Sequence, residues 1–592
     1  MAIAAAFLIC APVISKGGAQ AATQRRAVVE GVEDRALRNA IELAIGDEKS
    51  QPANRIDARR RARQAADSAT KLLRSEGYYD SEVRSDIGEG DRPQAVVKIE
   101  VGPRTVLASP QIQWIGAPPA QAQQADIVKT MVLKTGAPAR AADVLAAEGR
   151  LVSATQEQGY ADAKTADREV SVEHLDKTMH VVFKIAAGPL VKLDGLKIES
   201  KGRTKRAWLL KLVPWKANDV YKPARVAELE RRLLETQVYE SVTVALAPEP
   251  NADGLRPVVV SLADRSRHTI EFGAGYSTSE GPDVELKLLS YNIFGRGDTV
   301  TYEARYADTA NTNDLGSKLG VQLSLPHFMQ PGRTLTVEPS LFQNVTNAYT
   351  ATGGGISGDL TQRYGKTSFV TGGASVTQSR VDDKETGSIN ILTLKLLGAF
   401  ALDRSDNPLD PHTGYKIDAR VEPTQIEGDE QLFYVKMQAQ ASWYLPLDKL
   451  DNNILAFRGR IGSIVGGKIP SVPASDRFYA GGGGSVRGYV YQTVGPHYAD
   501  NTPVGGLSLV EGSVELRHRF NDTFGGVLFF DTGSVGGQIQ PDFRHTDAAL
   551  GLGLRYNLGF APIRADIGFP LQNANGAGQA PFQIYISIGQ SF

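Results

Sequence analysis

The pattern of apolar and polar positions changes near residue 267. Before that point, stretches with helical periodicity alternate with short apolar strands, which predicts α+β structure. After it, apolar residues recur at every second position in segments of about ten residues separated by polar turns, which predicts a long series of antiparallel strands. The two parts of the chain therefore require separate folds.

Three stretches in the first part occupy equivalent places and define a repeat. In each, a helical pattern ends, an aromatic residue follows and a strand begins; the aromatic residues are Tyr78, Tyr160 and Tyr239, spaced by 82 and 79 residues. The later strands of the first two repeats end in Val-Gly-Pro or Ala-Gly-Pro. A period of about 80 residues predicts small α/β modules in series. We place them at 22–105, 106–191 and 192–266.

The alternation in the second part predicts a transmembrane β-barrel over residues 267–592. The last segment carries its apolar residues on one face: Phe582, Ile584, Ile586, Ile588 and Phe592. A soluble sandwich also alternates, but about sixteen segments of ~20 residues each, turns included, are typical of an outer-membrane barrel. Backbone groups in lipid are satisfied only in helices or closed sheets. We therefore expect a 16-stranded antiparallel barrel, whose sixth outer loop is the long segment at about 467–506.

Composition narrows the choice of partners and compartment. The net charge is −1, so charge gives no reason to expect a nucleic-acid partner. The only cysteine is Cys10, which argues against disulfides and cysteine metal sites. An apolar stretch from Ala2 to Ile14, followed by Ala19-Gln20-Ala21, predicts a secretory signal peptide over residues 1–21. Export of the chain is expected.

The sequence GGGGSVRGY at 481–489 is the strongest candidate for a functional loop. Its glycine spacing fails the dinucleotide fingerprint, because Ser485 stands where the third position requires glycine, and no Walker G-K-[ST] follows. A glycine run also allows the loop backbone to pass close to the barrel wall. Arg487 then projects into the lumen, where its desolvated charge needs a carboxylate partner. Asp531 shares the inward face of its strand with Phe529, and Glu515 is a second candidate.

No other constellation indicates catalysis. The sequence has no G-x-S-x-G nucleophile elbow, and its eight histidines lack metal-ligand spacing. We expect a protein that is not an enzyme and that needs no metal or cofactor.

Taken together, these motifs resemble the BamA/TamA superfamily of outer-membrane protein insertases and transporters. VRGY resembles the family's sixth-loop signature, FFDTG at 529–533 the strand that receives the loop arginine, and 402–414 a turn between strands eight and nine. The resemblance implies that the three modules are POTRA domains and that the barrel lies in the outer membrane of a Gram-negative bacterium. The resemblance also implies that the sixth loop is held against the barrel wall by a set of residues that we call the latch. These are Val486, Arg487, Gly488, Tyr489, Phe529, Asp531, Gly533 and Glu515.

The resemblance also implies a mechanism based on the contact between the first and last strands. Both are expected to contain glycine at this seam, which weakens strand packing, so the barrel can open sideways and accept a client strand without ATP. Thr269 and Ser587 are expected to face each other across the seam, so a double-cysteine crosslink between them would test this opening. The seam residues are Thr269, Glu271, Gly273, Gly275, Ile584, Ile586, Ile588, Gly589 and Phe592.

The number of modules that precede the barrel distinguishes the branches of the superfamily. Three modules without a plug segment are similar to the TamA branch, which implies assembly of outer-membrane and autotransporter-type proteins. The expected partners are a TamB-like periplasm-spanning protein bound by the POTRA domains, unfolded outer-membrane clients and membrane lipid. The alternatives are a BamA-like general insertase and a two-partner-secretion transporter that passes an unfolded chain through the lumen. A passive porin has no reason to carry the three modules.

Overall fold

The computed structural model describes residues 24–48, 50–88, 92–199, 202–277, 281–307, 316–365, 367–449, 451–543, 546–559, 562–572, 581–588, 590 and 592. The predicted signal peptide lies outside the described residues. Two compact units are present. The first comprises residues up to Gly195 with Trp215–Val226 and Leu246–Val258, and the second comprises Leu196–Pro214, Ala227–Ala245 and Val259–Phe592.

The first α/β module packs two helices on a three-stranded sheet of order β2-β5-β4. Its long helix forms because small apolar residues recur every three or four positions, among them the buried Ala58, Ala62 and Ala65, and because Asn54 caps its first turn. Its elements are β1 (Gln24–Arg25), β2 (Val28–Glu30), α1 (Arg35–Ile45), β3 (Asp47–Glu48), α2 (Arg55–Ser75), β4 (Glu82–Ile87) and β5 (Ala95–Glu100).

The second module is organised around β10, which alternates buried and half-buried residues and pairs with four other strands. Its elements are β6 (Val106–Leu107), β7 (Gln111–Ile115), α3 (Gln121–Lys129), α4 (Ala141–Glu157), β8 (Lys164–Thr165), β9 (Glu169–Glu173) and β10 (Thr178–Ala186).

The third module has a sheet of order β11-β13-β12 and contributes residues to both compact units. Its elements are β11 (Leu193–Ile198), α5 (Arg206–Leu212), α6 (Pro223–Glu235), β12 (Tyr239–Leu246) and β13 (Arg256–Asp264). None of the helices in the described ranges is both long enough and apolar enough to cross a membrane.

Sixteen antiparallel strands form a closed barrel in which each strand pairs with its neighbours in sequence, and β14 pairs with β29 to close it. This confirms the predicted barrel. The strands are β14 (His268–Ser277), β15 (Gly281–Tyr291), β16 (Thr299–Ala307), β17 (Gly316–Leu325), β18 (Arg333–Val345), β19 (Tyr349–Tyr364), β20 (Ser368–Asp383), β21 (Gly387–Asp403), β22 (Gly414–Gly428), β23 (Leu432–Pro446), β24 (Asn453–Val465), β25 (Ser508–Arg519), β26 (Phe524–Gly536), β27 (Asp547–Asn557), β28 (Pro562–Pro570) and β29 (Gln583–Ile588).

The two faces of the barrel wall differ in polarity as the alternation requires. On β27, Leu550, Leu552 and Leu554 are exposed on the outside, whereas Arg555 is buried on the inside. On β26, Leu528 points outward and Asp531 is fully buried in the lumen. The outer surface is therefore apolar enough to face lipid, and the charged residues lie within.

The segment between β24 and β25 folds into the lumen. It contains two short 3-10 turns, at Ile469–Ser471 and Ala474–Asp476. Val486 and Tyr489 of this segment are fully buried in a cluster that includes wall residues such as Val381, Tyr434 and Ala549. The lumen is thus a packed core in which the sixth loop, residues 466–507, is the central element.

The end of the chain departs from the predicted alternation. Phe592 was expected on the outward face of the last strand, but β29 ends at Ile588 and the Phe592 ring stacks inside on Tyr444, with centroids 6.4 Å apart. The backbone N–H of Gln590 donates to the Leu409 carbonyl, so the chain has left the sheet by this point. The prediction for Phe592 was wrong because alternation assigns a face only while the chain remains in a strand.

Candidate functional site

Arg487 lies at the centre of the lumen and is 2% exposed. Its Nε is 2.7 Å from Asp531 Oδ2 and its Nη2 is 2.9 Å from Asp531 Oδ1, so the guanidinium donates two parallel hydrogen bonds to one carboxylate. The backbone N–H of Arg487 also donates to Asp531, at 3.1 Å. The guanidinium carbon is 3.5 Å from the centroid of the Phe529 ring. A bidentate pair with an aromatic ring on one face fixes both the position and the orientation of this side chain.

Two further carboxylates complete the site around Arg487. Its Nη1 is 2.7 Å from Glu515 Oε1 and 3.1 Å from Asp566 Oδ2. Asp566 on β28 was not among the predicted site residues. Its inward position could be read from the alternation of β28, but no sequence signal gives its distance from the loop.

The surplus negative charge is balanced by arginines of the wall. Arg517 Nη2 is 2.8 Å from Glu515, while Arg555 and Arg564 approach Asp566 to 2.5 and 3.9 Å. Three carboxylates thus face four guanidinium groups, all of them largely buried. Removing any one member leaves its partners charged in a poorly solvated place, and this is the costly case for buried ion pairs.

Glycines in the loop and in the barrel wall allow the two backbones to approach each other closely. Gly488 has a φ of +104°, and a Cβ at Gly568 of β28 would lie 2.7 Å from the Gly488 nitrogen. A Cβ at Gly533 would lie 2.6 Å from the Val486 side chain. The latch glycines therefore serve close backbone approach, since any side chain would push loop and wall apart.

Tyr585 joins the same loop to the last strand. Its hydroxyl accepts the backbone N–H of Gly488 at 3.1 Å and donates to the carbonyl of Tyr489 at 3.2 Å. Tyr585 lies on β29 and is buried. Tyr585 was not among the predicted site residues. The loop is therefore bonded to the strand that closes the barrel.

The remaining loop contacts hold its two flanks. Tyr489 places its hydroxyl 3.1 Å from the carbonyl oxygens of Ala548 and Gln572. Arg458 donates to the carbonyls of Gly484 and Ser485. Nearer the start of the loop, Asp476 is 3.2 Å from Lys395 of β21 and accepts the Tyr434 hydroxyl of β23 at 2.5 Å. The loop is thus attached to opposite parts of the wall.

The seam between β14 and β29 is short. Among the described residues its register couples Tyr276 with Ile586 and Ser277 with Tyr585, whereas β14 pairs with β15 along its whole length, from His268 to Ser277. Among the residues that the structure describes, His268–Gly275 of the first strand therefore pair with β15 alone.

The predicted seam residues are placed unequally by this register. Ile584 and Ile586 lie in β29, with Ile588 at its end, while Gly589 lies outside the described residues. Thr269 and Glu271 lie opposite Leu289 and Lys287 of β15, and Gly273 and Gly275 lie opposite Glu285 and Asp283, all outside the described pairing of β14 with β29.

The expected proximity of Thr269 and Ser587 was wrong. Continuing the observed register places Ser587 opposite Gly275, six residues along β14 from Thr269. Strand register depends on the stagger of the whole barrel, which spacing in a single sequence does not give.

In the described part of the chain, no group of three His, Cys, Asp or Glu side chains is arranged to hold a metal ion.

Comparison with known proteins gives matches to both parts of the chain. Residues 292–592 match the Omp85 superfamily domain, and residues 26–103 match a POTRA domain described as TamA domain 1. Outer membrane protein assembly factor BamA of Nitratidesulfovibrio vulgaris is 22% identical over 475 residues, covering 76% of this chain and 58% of that protein.

BamA of Neisseria meningitidis serogroup B is 22% identical over 518 residues, covering 80% of this chain and 62% of that protein. The chain thus spans roughly three fifths of the length of these relatives. The crystal structure of BamA from Haemophilus ducreyi lacking POTRA domains 1–3 superposes with a TM-score of 0.68 at 18% identity, covering 81% of this chain and 99% of that one. This likeness shows a shared fold.

Proposed function

The chain belongs to the Omp85 superfamily, and on that premise we propose that it inserts other β-barrel proteins into the outer membrane by opening its own barrel between β14 and β29. Its barrel lies in the outer membrane and its POTRA domain in the periplasm. The observation that carries the proposal is the short seam, at which the described pairing is confined to Tyr276 and Ser277 on β14.

A short seam favours opening because few backbone hydrogen bonds must break there. Opening exposes the N–H and C=O groups of a strand edge, which form a template for another strand. An unfolded client supplies such a strand and replaces the lost bonds by β-augmentation. Since bonds are exchanged rather than lost, insertion by this route needs no ATP.

In this proposal the sixth loop controls the seam. Arg487 holds the loop on β25, β26 and β28 through its three carboxylates, and Tyr585 connects the loop to β29. While these contacts persist, β29 is held from inside the barrel. Release of the loop removes its hydrogen bonds to Tyr585 and leaves β29 with its pairing to β28 and to the described end of β14.

For the three modules that precede the barrel we propose a role like that of TamA, with a TamB-like periplasm-spanning partner. The match of residues 26–103 to TamA domain 1 supports this assignment. In the first module, β4 is an edge strand whose side chains are mostly exposed, and it is available for strand addition. A BamA-like general insertase is the second candidate, because both curated relatives described above carry that name.

A disulfide across the seam tests the opening. Tyr276→Cys with Ile586→Cys joins the two strands at an observed register pair, and Ala274→Cys with Val284→Cys is the matched control between β14 and β15. In proteoliposomes supplied with an unfolded eight-stranded barrel protein, oxidation should stop insertion by the first variant and reductant should restore it. The control should insert under both conditions. Insertion at the normal rate through a locked seam would show that lateral opening is wrong.

Native membranes can separate the two candidate roles. After mild crosslinking and purification of the full chain, a TamA-like role predicts recovery of one large periplasm-spanning protein. A BamA-like role predicts that no such periplasm-spanning protein is recovered. Recovery should fall when β4 is altered by Val83→Pro, since proline removes a backbone donor from an edge strand. The exposed Arg84→Ala in the same strand is the control for loss of a side chain alone.

A further inference from the structure

A cleft of 430 Å³ lies between the third module and two turns of the barrel, and all of its lining residues belong to the second compact unit. One wall is α5, and the others are the turns that connect β15 to β16 and β17 to β18. The residues that matter for its chemistry are Lys205, Trp208, Lys211, Arg296, Leu325 and Met329. None of them takes part in the latch or the seam.

The polar side of this cleft is basic. Lys205, Lys211 and Arg296 are exposed, and no aspartate or glutamate lines the cleft. None of the three forms an ion pair with another residue in the described ranges. Asp298, the acidic residue of the β15–β16 turn, is fully buried and accepts the backbone N–H groups of Phe294 and Arg296. The three cations are therefore available to an anionic group.

The apolar side of the cleft continues onto the outer surface of the barrel. Leu325 ends β17 on the same face as the exposed Leu319 and Val321. Beyond it, Met329 is 83% exposed, so an apolar side chain lies uncovered in the β17–β18 turn. A ligand that reaches the cations can thus extend along the surface that faces the membrane.

The turn that carries Met329 is fixed in place. Gly332 donates its N–H to His327 Nδ1 at 3.1 Å, so Nε2 carries the proton and donates to the Arg232 carbonyl of α6 at 2.7 Å. The His327 and Trp208 rings lie 6.2 Å apart. These contacts connect the turn to α5 and α6 of the third module, on the other side of the cleft.

We propose that this cleft binds a phospholipid of the periplasmic leaflet, with Lys205, Lys211 and Arg296 around the phosphate and the acyl chains along Leu325 and the outer face of β17. Three cations without acidic neighbours match an anionic headgroup, and basic pockets at a membrane surface bind such lipids. Trp208 and Met329 provide the apolar transition between headgroup and acyl chains, as aromatic residues do at membrane interfaces. The site is separate from the machinery proposed for insertion and does not depend on it.

Photocrosslinking in a bilayer tests this assignment. The full chain is placed in nanodiscs of phosphatidylethanolamine and phosphatidylglycerol that contain a phosphatidylglycerol with a photoactivatable group near the headgroup, and adducts are located by mass spectrometry. We expect adducts on the α5 and β17–β18 walls of the cleft. Lys205→Gln, Lys211→Gln and Arg296→Gln together should lower this labelling about tenfold or more, given the attraction of each cation to an anionic surface.

A control variant tests whether the labelling depends on the cations of the cleft or on the total positive charge of the protein. Lys192→Gln, Lys216→Gln and Lys222→Gln remove the same charge from exposed residues that do not line the cleft, and they should leave the labelling unchanged. Heat-modifiable migration on gels reports whether each barrel is folded. If the cleft variant fails to fold, Met329→Gln alone should still shift the adducts away from the β17–β18 turn, because this exposed side chain contributes no packing.

Four results would overturn the proposal. The first is equal labelling of the cleft variant and the unmodified chain, and the second is adducts confined to other parts of the barrel. The third is competition by soluble glycerol phosphate at the concentration of the lipid probe, which would assign the cleft to a soluble phosphoester. Displacement of the lipid by an acidic peptide, with no effect of the acyl chains, would likewise replace the lipid by a protein partner.

Discussion

The two edges of the first barrel strand differ sharply. On one side, β14 pairs with β15 from His268 to Ser277, and on the other its described pairing with β29 is confined to its last two residues. The latch, by contrast, joins the loop to five strands, β25, β26, β27, β28 and β29, through buried charges and hydrogen bonds. Closure of this barrel is thus weak in the backbone ladder and strong in the lumen.

This difference indicates where perturbations should act. A change in the latch removes side-chain interactions that hold the closing strand from within. A change on the lipid-facing side of the seam removes few of the described backbone bonds, since the described pairing covers two residues of β14. The predictions below test this division, beginning with the largest expected effect.

Replacement of Arg487 by Ala should be the most damaging change. It leaves Asp531, Glu515 and Asp566 as buried carboxylates without their shared cation, and loss of one partner of a buried pair costs roughly 3–5 kcal/mol. The free energy of unfolding in detergent should fall by about that amount, and the loop should become open to proteolysis. Unchanged protection of residues 466–507 would contradict the latch.

The reversed pair Arg487→Asp with Asp531→Arg should not restore the site. The new Asp would still face Glu515 and Asp566, and like charges at short distance repel. This double variant should therefore remain as unstable as Arg487→Ala in the same unfolding measurement. Full rescue would mean that Asp531 is the only one of the three carboxylates that stabilises Arg487.

Asp566→Asn should have a smaller effect on the latch. The variant keeps the size of the side chain and leaves Arg487 with Asp531 and Glu515, but it deprives Arg555 of its close carboxylate. Hydrogen bonds to charged groups contribute about 1.5–3 kcal/mol. The unfolding free energy should fall within that range. The exposed Asp522→Asn in the turn after β25 is the control.

Tyr585→Phe should loosen the seam with little loss of the latch itself. It removes the acceptor for the Gly488 N–H and the donor to the Tyr489 carbonyl, which leaves a buried backbone group unsatisfied at a cost of about 1–3 kcal/mol. Hydrogen exchange of β29 should accelerate, while that of β26 should not. Equal acceleration in both strands would mean that Tyr585 supports the whole wall rather than the seam.

His327 should give the smallest effect, and it lies outside both regions. Burial lowers its pKa below the ordinary 6.5; Glu235, Arg231 and Arg232 of α6 also act on it. The unfolded chain therefore binds the proton at a higher pH than the folded one, so the stability contribution is complete above pH 6.5 and declines as the pH falls below it.

The prediction for His327 is local. Acidification should increase hydrogen exchange in α6 and in the β17–β18 turn but leave the latch unchanged. His327→Gln should abolish this pH dependence. A pH response that persists in the variant would assign it to another group.

The barrel and part of the latch could be predicted from sequence because both depend on alternation. Period-two patterning gave the strand number, and the parity of β26 placed Asp531 on the inward face, where it lies 2.7 Å from Arg487. The role of this contact as a latch stays a prediction.

What could not be predicted depends on three-dimensional placement. Asp566 and Tyr585 reach the loop because the barrel wall brings β28 and β29 beneath it, and neither is near the loop in sequence. The seam register was wrong because the stagger around sixteen strands has no local signal. Phe592 was misplaced because the chain leaves the sheet after Ile588 and packs on the lumen side.

The shortness of the last strand has a consequence for the surrounding bilayer. At about 3.3 Å per residue and a tilt of ~40°, the six residues of β29 reach roughly 15 Å along the membrane normal, whereas the seventeen residues of β21 reach more than about 40 Å. An outer-membrane barrel normally offers an apolar band about 25 Å tall. Lipids beside β29 must therefore compress to match a lower wall, at a cost of fractions of a kcal/mol per Å of mismatch. We therefore expect a thinner membrane at the proposed opening, which would shorten the distance that the polar turns of a client must cross.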